Sequence, residues 1–205
     1  RSYNDLKQYP IYPYIIKECD SNFLDLNDSN SYRDLSIPIP FICPRRREIP
    51  NGMNLFNQLP SSEFLTTWGM VRVEPFTTLQ IIFQGKQFLE SPRQFFSIYG
   101  LWNNMMNNIQ VNESLPDNFC FPFMYINENH FDLGIRVSDG IVVDDVILPK
   151  WAENPFVYTS TNRIALESQI VSSTIHKWID FFFGINRRIY NGKKLYPDFS
   201  YPELT

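Results

Sequence analysis

Histidine, cysteine and glycine are scarce in this sequence, at two, three and eight residues among 205. His130 and His176 stand far apart, and Cys19, Cys43 and Cys120 have no paired spacing, so the ligand sets of structural and catalytic zinc sites are not there and no metal or other cofactor is expected. The glycines are isolated: neither a phosphate-cradling loop nor a glycine-framed nucleophile elbow can be assembled from them. No apolar run reaches the ~20 residues a membrane-spanning helix needs, and no basic-then-apolar opening resembles a signal peptide. Basic residues are not in excess, at 18 Lys and Arg against 22 Asp and Glu with a net charge of −4, which argues against nucleic acid as a partner. An odd number of distant cysteines fits a reducing compartment better than a secreted disulfide framework, so a cytoplasmic location is expected.

What the sequence has in quantity is aromatic residues, at 16%, and proline, at 15 residues. Both are dense in the first third, in "NDLKQYPIYPYII" and "YRDLSIPIPFICPRRREIP". Each X-Pro unit pushes the preceding residue toward extended geometry, so residues 4–50 are expected to lack helix. The stretch is nevertheless too apolar for a linker, since burying such surface is worth about 25 cal/mol per Å². Irregular chain packed into the core is the expectation, with side chains meeting its backbone polar groups.

Helical patterns begin near Ser61. "PSSEFLTTWGMVRVE" has a serine cap and an apolar face that Pro75 breaks, and "TTLQIIFQGK" follows. Ser91-Pro92 reads as a helix start, with Phe95, Tyr99, Trp102 and Met106 as its buried stripe. Between residues 115 and 155 the prolines and turn signals predict loops with at most a short hairpin around "SDGIVVDD", where Asp144 and Asp145 are read as loop-capping or salt-bridging acids. A final helix from Asn154-Pro155 is expected to run to Gly184, with an ion pair between Arg163 and Glu167 on its outer face.

Five blocks, "RSYNDLKQYPIYPYII", "YRDLSIPI", "VRVEPFTTLQIIFQGKQF", "VVDDVILPKWA" and "NRIALESQIVSSTIHKWIDFFFG", resemble in the same order the signature blocks of BEACH domains, the module of the beige, Chediak-Higashi and neurobeachin proteins. The resemblance implies one domain over residues 1–205, mainly α with extensive irregular extended segments in its core. It also implies a PH-like domain upstream that packs on this module, WD-type repeats downstream, and a non-enzymatic scaffold role in vesicle trafficking, membrane dynamics, lysosome-related organelles or autophagy, peripheral to endomembranes. Two departures stand out. The chain opens at Arg1, inside the family pattern and without the helical segment that usually precedes it, and "NGMNLFNQLPSSEFLTTWGM" replaces a His- and Tyr-rich stretch.

Candidate residues fall into three groups. Tyr9, Tyr12, Tyr14, Arg33 and Trp151 are candidates for protein contact, because aromatics and arginine dominate interface energetics. Asn4, Asp5, Asp34, Glu74, Arg163, His176 and Asp180 are read as a structural polar core, Arg33 sharing that reading, since such side chains satisfy irregular buried backbone. Arg45, Arg46, Arg47, Arg187 and Arg188 could meet anionic lipid or an acidic partner. His176 and Asp180, four apart on one helix face, also admit a hydrolase reading, but no nucleophile lies in a suitable frame beside them and the structural reading is favoured.

Overall fold

The structure, a computed structural model, describes residues 10–44, 61–85, 94–107, 112–136, 139–184 and 189–194. The first described stretch contains no α-helix before residue 44 and enters the core as extended chain with two short 3-10 turns, Ser29–Ser31 and Ile39–Phe41. Ile11, Ile15, Ile39 and Phe41 are buried. Their backbone finds partners through single bridges instead of a sheet: Tyr12 and Ser114 exchange two hydrogen bonds of 2.9 Å, Lys17 N–H donates to Ser31 at 3.0 Å, and Arg33 N–H donates to the Ile15 carbonyl at 2.7 Å. Proline keeps this chain extended while the isoleucines between prolines carry it inward.

Helix α1, Glu63–Gly69, starts where Ser62 Oγ accepts the Leu65 N–H at 3.3 Å. After the cis Glu74–Pro75 peptide comes α2, Phe76–Phe83, fastened to α1 by a 2.5 Å bond from Thr67 Oγ1 to Gln80 Oε1. Helix α3, Ile98–Asn107, buries Ile98, Leu101 and Met105. The stripe expected from the sequence is thus displaced by one position: Tyr99 is exposed and Trp102 half-buried. Phe95 lies outside the helix in chain that bridges Ser97 to Ile147, so its spacing to Tyr99 carried no helical phase.

Two 3-10 turns, Pro116–Phe119 and Pro122–Tyr125, pack on α4, Pro155–Leu166. The expected long helix over 154–184 divides into three: α4, α5 (Gln169–Ser172) and α6 (Ile175–Phe182). Ser168 takes an extended conformation and its Oγ accepts the Val171 N–H at 3.2 Å, beginning a new helix where a continuous one was expected. A short antiparallel pair, β1 (Ile189–Tyr190) and β2 (Lys193–Lys194), turns through Asn191 and Gly192, both at positive φ. The main core gathers Ile39, Met70, Phe95, Leu101, Met124, Tyr125 and Tyr158; a second places Trp178 of α6 among Ile11, Ile15, Tyr32 and Leu35. The first third and the last helices therefore stabilise one another, as a mainly helical fold with irregular chain in its interior.

Candidate interaction surface

Arg33, one of two buried arginines among the described residues, makes a two-pronged ion pair with Glu113, Nη1 to Oε2 at 2.9 Å and Nη2 to Oε1 at 3.0 Å. The same guanidinium reaches the carbonyls of Tyr14 at 3.4 Å and Ile37 at 3.5 Å, so it ties together three irregular segments. Glu113 sits beside the Tyr14 hydroxyl; burial first, then that negative charge, pushes the Tyr14 phenol well above its ordinary value, against a hydrogen bond with Asn118. Tyr125 Oη donates to Asn118 Oδ1 at 2.8 Å, and Asn118 Nδ2 donates to Ser114 Oγ. A fork-to-fork pair is the arrangement in which a buried charge can persist, here even though Arg33 Nε finds no hydrogen-bond partner among the described residues.

Arg72, the second, is 1% exposed and donates from Nε to the Asp144 carbonyl at 2.7 Å. Burial lowers its guanidinium to about 10, although Asp145 and Asp144 lie nearby to oppose the shift. Those two acids also brace a loop: Asp145 Oδ1 accepts the Asn127 N–H at 2.6 Å and Asp144 Oδ1 accepts from Asn127 Nδ2 at 2.9 Å. Neither Glu113 nor Arg72 was singled out from the sequence. Glu113 carried a signal, being the sole charged residue between Arg93 and Asp117, and Arg72 stands alone between two valines.

The candidates named from the sequence separate by depth. Trp151 is half-buried, stacks on Tyr158 at 5.7 Å and donates its indole N–H to the Glu18 carbonyl at 2.8 Å; it, the half-buried Tyr14 and the buried Arg33 all fasten interior chain. Tyr12 remains at the surface, its ring 5.4 Å from Phe119. Four members of the expected polar core are instead exposed: Asp34, Glu74, Arg163 and His176. Asp34 follows Arg33 in extended chain and so faces the other way, where its Oδ1 accepts from the Ser36 N–H at 2.9 Å and Ser36 Oγ at 2.6 Å. Glu74 accepts from Thr78 Oγ1 at 3.0 Å at the start of α2. Helix α4 turns Tyr158, Thr159, Asn162 and Ala165 inward, which places Arg163 outside; helix α6 turns Trp178 and Phe181 inward, which does the same to His176. Asp180 is half-buried, and among the described residues it makes no hydrogen bond with His176. Tyr9, Asn4, Asp5, Arg45, Arg46, Arg47, Arg187 and Arg188 lie outside the described residues.

A groove of about 820 Å³ lies between the turn at Leu26 and Asn27 and the α4–α5 corner, where Arg163, Ile164, Glu167 and Ile170 meet it. Its turn is held from behind by Tyr32 Oη donating to the Leu26 carbonyl and Ser31 Oγ donating to the Asp25 carbonyl, both at 2.8 Å. The ion pair expected between Arg163 and Glu167 does not form among the described residues. No three His, Cys, Asp or Glu side chains among the described residues converge to hold a metal ion, and none of the described helices is long and apolar enough to cross a membrane.

Comparison with known proteins agrees with the blocks read from the sequence. The family model described as Beige/BEACH domain matches residues 1–204. The chain is 39% identical over 202 residues to BEACH domain-containing protein lvsD of Dictyostelium discoideum, covering 92% of this chain and 7% of that protein. It is 37% identical over 205 residues to Beige protein homolog 1 of Schizosaccharomyces pombe, covering 92% and 8%. With BEACH domain-containing protein B of Arabidopsis thaliana the identity is 36% over 201 residues, again 92% and 8%. The chain thus spans less than a tenth of the length of the curated relatives it matches, and it belongs to the BEACH domain family.

Proposed function

We propose that this chain is a non-enzymatic interaction module within a large BEACH scaffold protein, serving vesicle trafficking and the membrane dynamics of lysosome-related organelles or autophagy from the cytoplasmic side of endomembranes. The observation that carries the reading is the division of its polar residues. The buried pair Arg33 with Glu113 holds irregular chain, and Arg136–Asp139 and Lys150–Asp20 pair nearer the surface, whereas Arg163 and Glu167 have no ionic partner among the described residues and stand beside an open groove. The interior is arranged for rigidity and the surface for contact. His176 is exposed and, among the described residues, has no hydrogen bond to Asp180 that would orient it, which weighs against the hydrolase alternative.

Within the full-length protein the module works together with a PH-like domain, the two forming one recruiting platform. Calorimetry between this module and the PH-like domain of the same protein, at low and high salt, tests that mechanism. Micromolar or tighter binding that survives salt is the expected result; absence of binding removes the joint platform. Binding to anionic vesicles that falls steeply with salt and is lost on charge reversal at Arg45, Arg46 and Arg47 would favour a lipid-binding module instead.

A further inference from the structure

We infer that the groove between the Leu26–Asn27 turn and the α4–α5 corner docks an extended peptide segment of a partner protein, one whose apolar side chains lie between an acidic residue at Arg163 and a basic residue at Glu167. The inference rests on the interaction-module reading and specifies its ligand.

Charge comes first. Arg163 and Glu167 are one helical turn apart, the spacing at which an ion pair forms, yet no nitrogen–oxygen approach within bridging distance joins them and neither has another ionic partner among the described residues. A ligand carrying both signs, acidic toward Arg163 and basic toward Glu167, meets both charges at once. A polyanion such as nucleic acid would gain one cation and oppose one carboxylate, and an anionic lipid headgroup would face the same conflict.

The floor is apolar: Leu26 and Ile170 are half-buried and Ile164 is 60% exposed, so leucine-sized side chains seated there would remove apolar surface from water on both sides. What singles out a peptide is the rim. Asn27 and Gln169 are exposed, and among the described residues their side-chain amides hold no hydrogen bond. Each offers one donor group and one acceptor, which match the N–H and C=O of an extended backbone and give nothing to an acyl chain. The groove's volume of about 820 Å³ suits a few residues. Both sides are preformed, the turn by Tyr32 and Ser31 and the corner by the Ser168 cap, so little ordering is needed on binding.

The test is fluorescence polarisation on the intact protein. One labelled probe places two leucines between an aspartate and a lysine; the other exchanges the two charges. The first is expected to bind saturably at roughly 10 to 100 μM, as weak peptide recognition does. Arg163→Glu should weaken it about tenfold, the effect of ~1.4 kcal/mol. Ile164→Asp should abolish it, and the double variant Arg163→Glu with Glu167→Lys should reverse the preference between probes. All three positions are exposed, so a thermal melt of each variant serves as the folding control. The inference is overturned if neither probe binds, which includes the case of another segment of the same protein occupying the groove, or if binding ignores Arg163→Glu and Ile164→Asp. Measured on the same variants, retained binding to the PH-like domain without peptide binding removes the groove's ligand alone. Peptide binding without PH-like domain binding removes the joint platform alone.

Discussion

Arg33 and Asp34 are adjacent, alike in polarity and opposite in fate. Extended chain sends successive side chains to opposite sides, so the turn at Asp34 caps itself at the surface while Arg33 enters the core to meet Glu113. Removing one partner of a buried pair strands the other charge: Arg33→Ala or Glu113→Ala is expected to cost about 3 to 5 kcal/mol by urea unfolding. Replacing both with leucine should recover much of that loss, because the stranded charge goes with its partner. Asp34→Ala, which removes two short surface bonds, should cost no more than about 1 kcal/mol. Equal losses at Arg33 and Asp34 would contradict this division. The sequence marked Arg33 as buried because it stands in an apolar block, but it could not say which of two neighbours faces inward. For His176 the outcome reverses the expectation of a fastening pair: exposed and unbonded, it should tolerate alanine within about 0.5 kcal/mol.

At the scale of elements, the caps of α1 and α4 were legible; continuity was not, nor was the start of α3, which begins at Ile98 after non-helical chain and not at Ser91-Pro92, itself outside the described residues. Asn154-Pro155 announced α4 correctly, and Asn154 Oδ1 accepts the Val157 N–H at 3.0 Å. Asn154→Ala should therefore cost about 1 kcal/mol and Asn154→Asp much less, a contrast that thermal melts would resolve. The division into α4, α5 and α6 was hidden, because Ser168 and Thr174 are tolerated inside helices as well as at their ends; only the packed neighbours decide. The displaced stripe of α3 has a similar origin, a spacing that matched a helix across chain that is not helical. Gly184, expected from its type to end the last helix, lies against α6: a Cβ there would meet Asp180, including its backbone Cα at 2.7 Å. Gly184→Ala should destabilise by about 1 to 3 kcal/mol, with loss of the α6 contribution to the helical signal; an unchanged melt would show that the Asp180 turn can yield.

The whole molecule holds together through long-range ties that local sequence cannot display, such as the Trp151 indole on the Glu18 carbonyl and the aromatic contact between Tyr125 and Tyr158, 5.1 Å apart. Their burial makes the fold sensitive to alkali in a calculable order. Burial, followed by the neighbouring Glu18 and Asp20 charges, pushes the Cys19 thiol from 9.0 up to about 12. Burial likewise raises Tyr14, Tyr125 and Tyr158 well above their ordinary 10.0. Each is neutral at pH 7 in both folded and unfolded chains, so none alters stability there. Above pH 9 the unfolded chain ionises Cys19 first, binds fewer protons than the folded one, and is favoured by about 1.4 kcal/mol per pH unit. Above pH 10 the three tyrosines add the same slope each. Arg72, lowered to about 10, acts the other way, since the folded state sheds its proton first and gains while the pH climbs toward 12.5. The net slope above pH 10 is about 4 kcal/mol per unit, enough to consume a stability of about 5 to 15 kcal/mol within a few pH units. Urea midpoints should hold steady to pH 9, decline gently to 10 and then collapse, with tyrosinate absorbance rising in the same step as the helical signal is lost. Cys19→Ala should remove the gentle decline alone. A tyrosinate titration completed while the helical signal persists would mean that the phenols at the centre of this core are open to water.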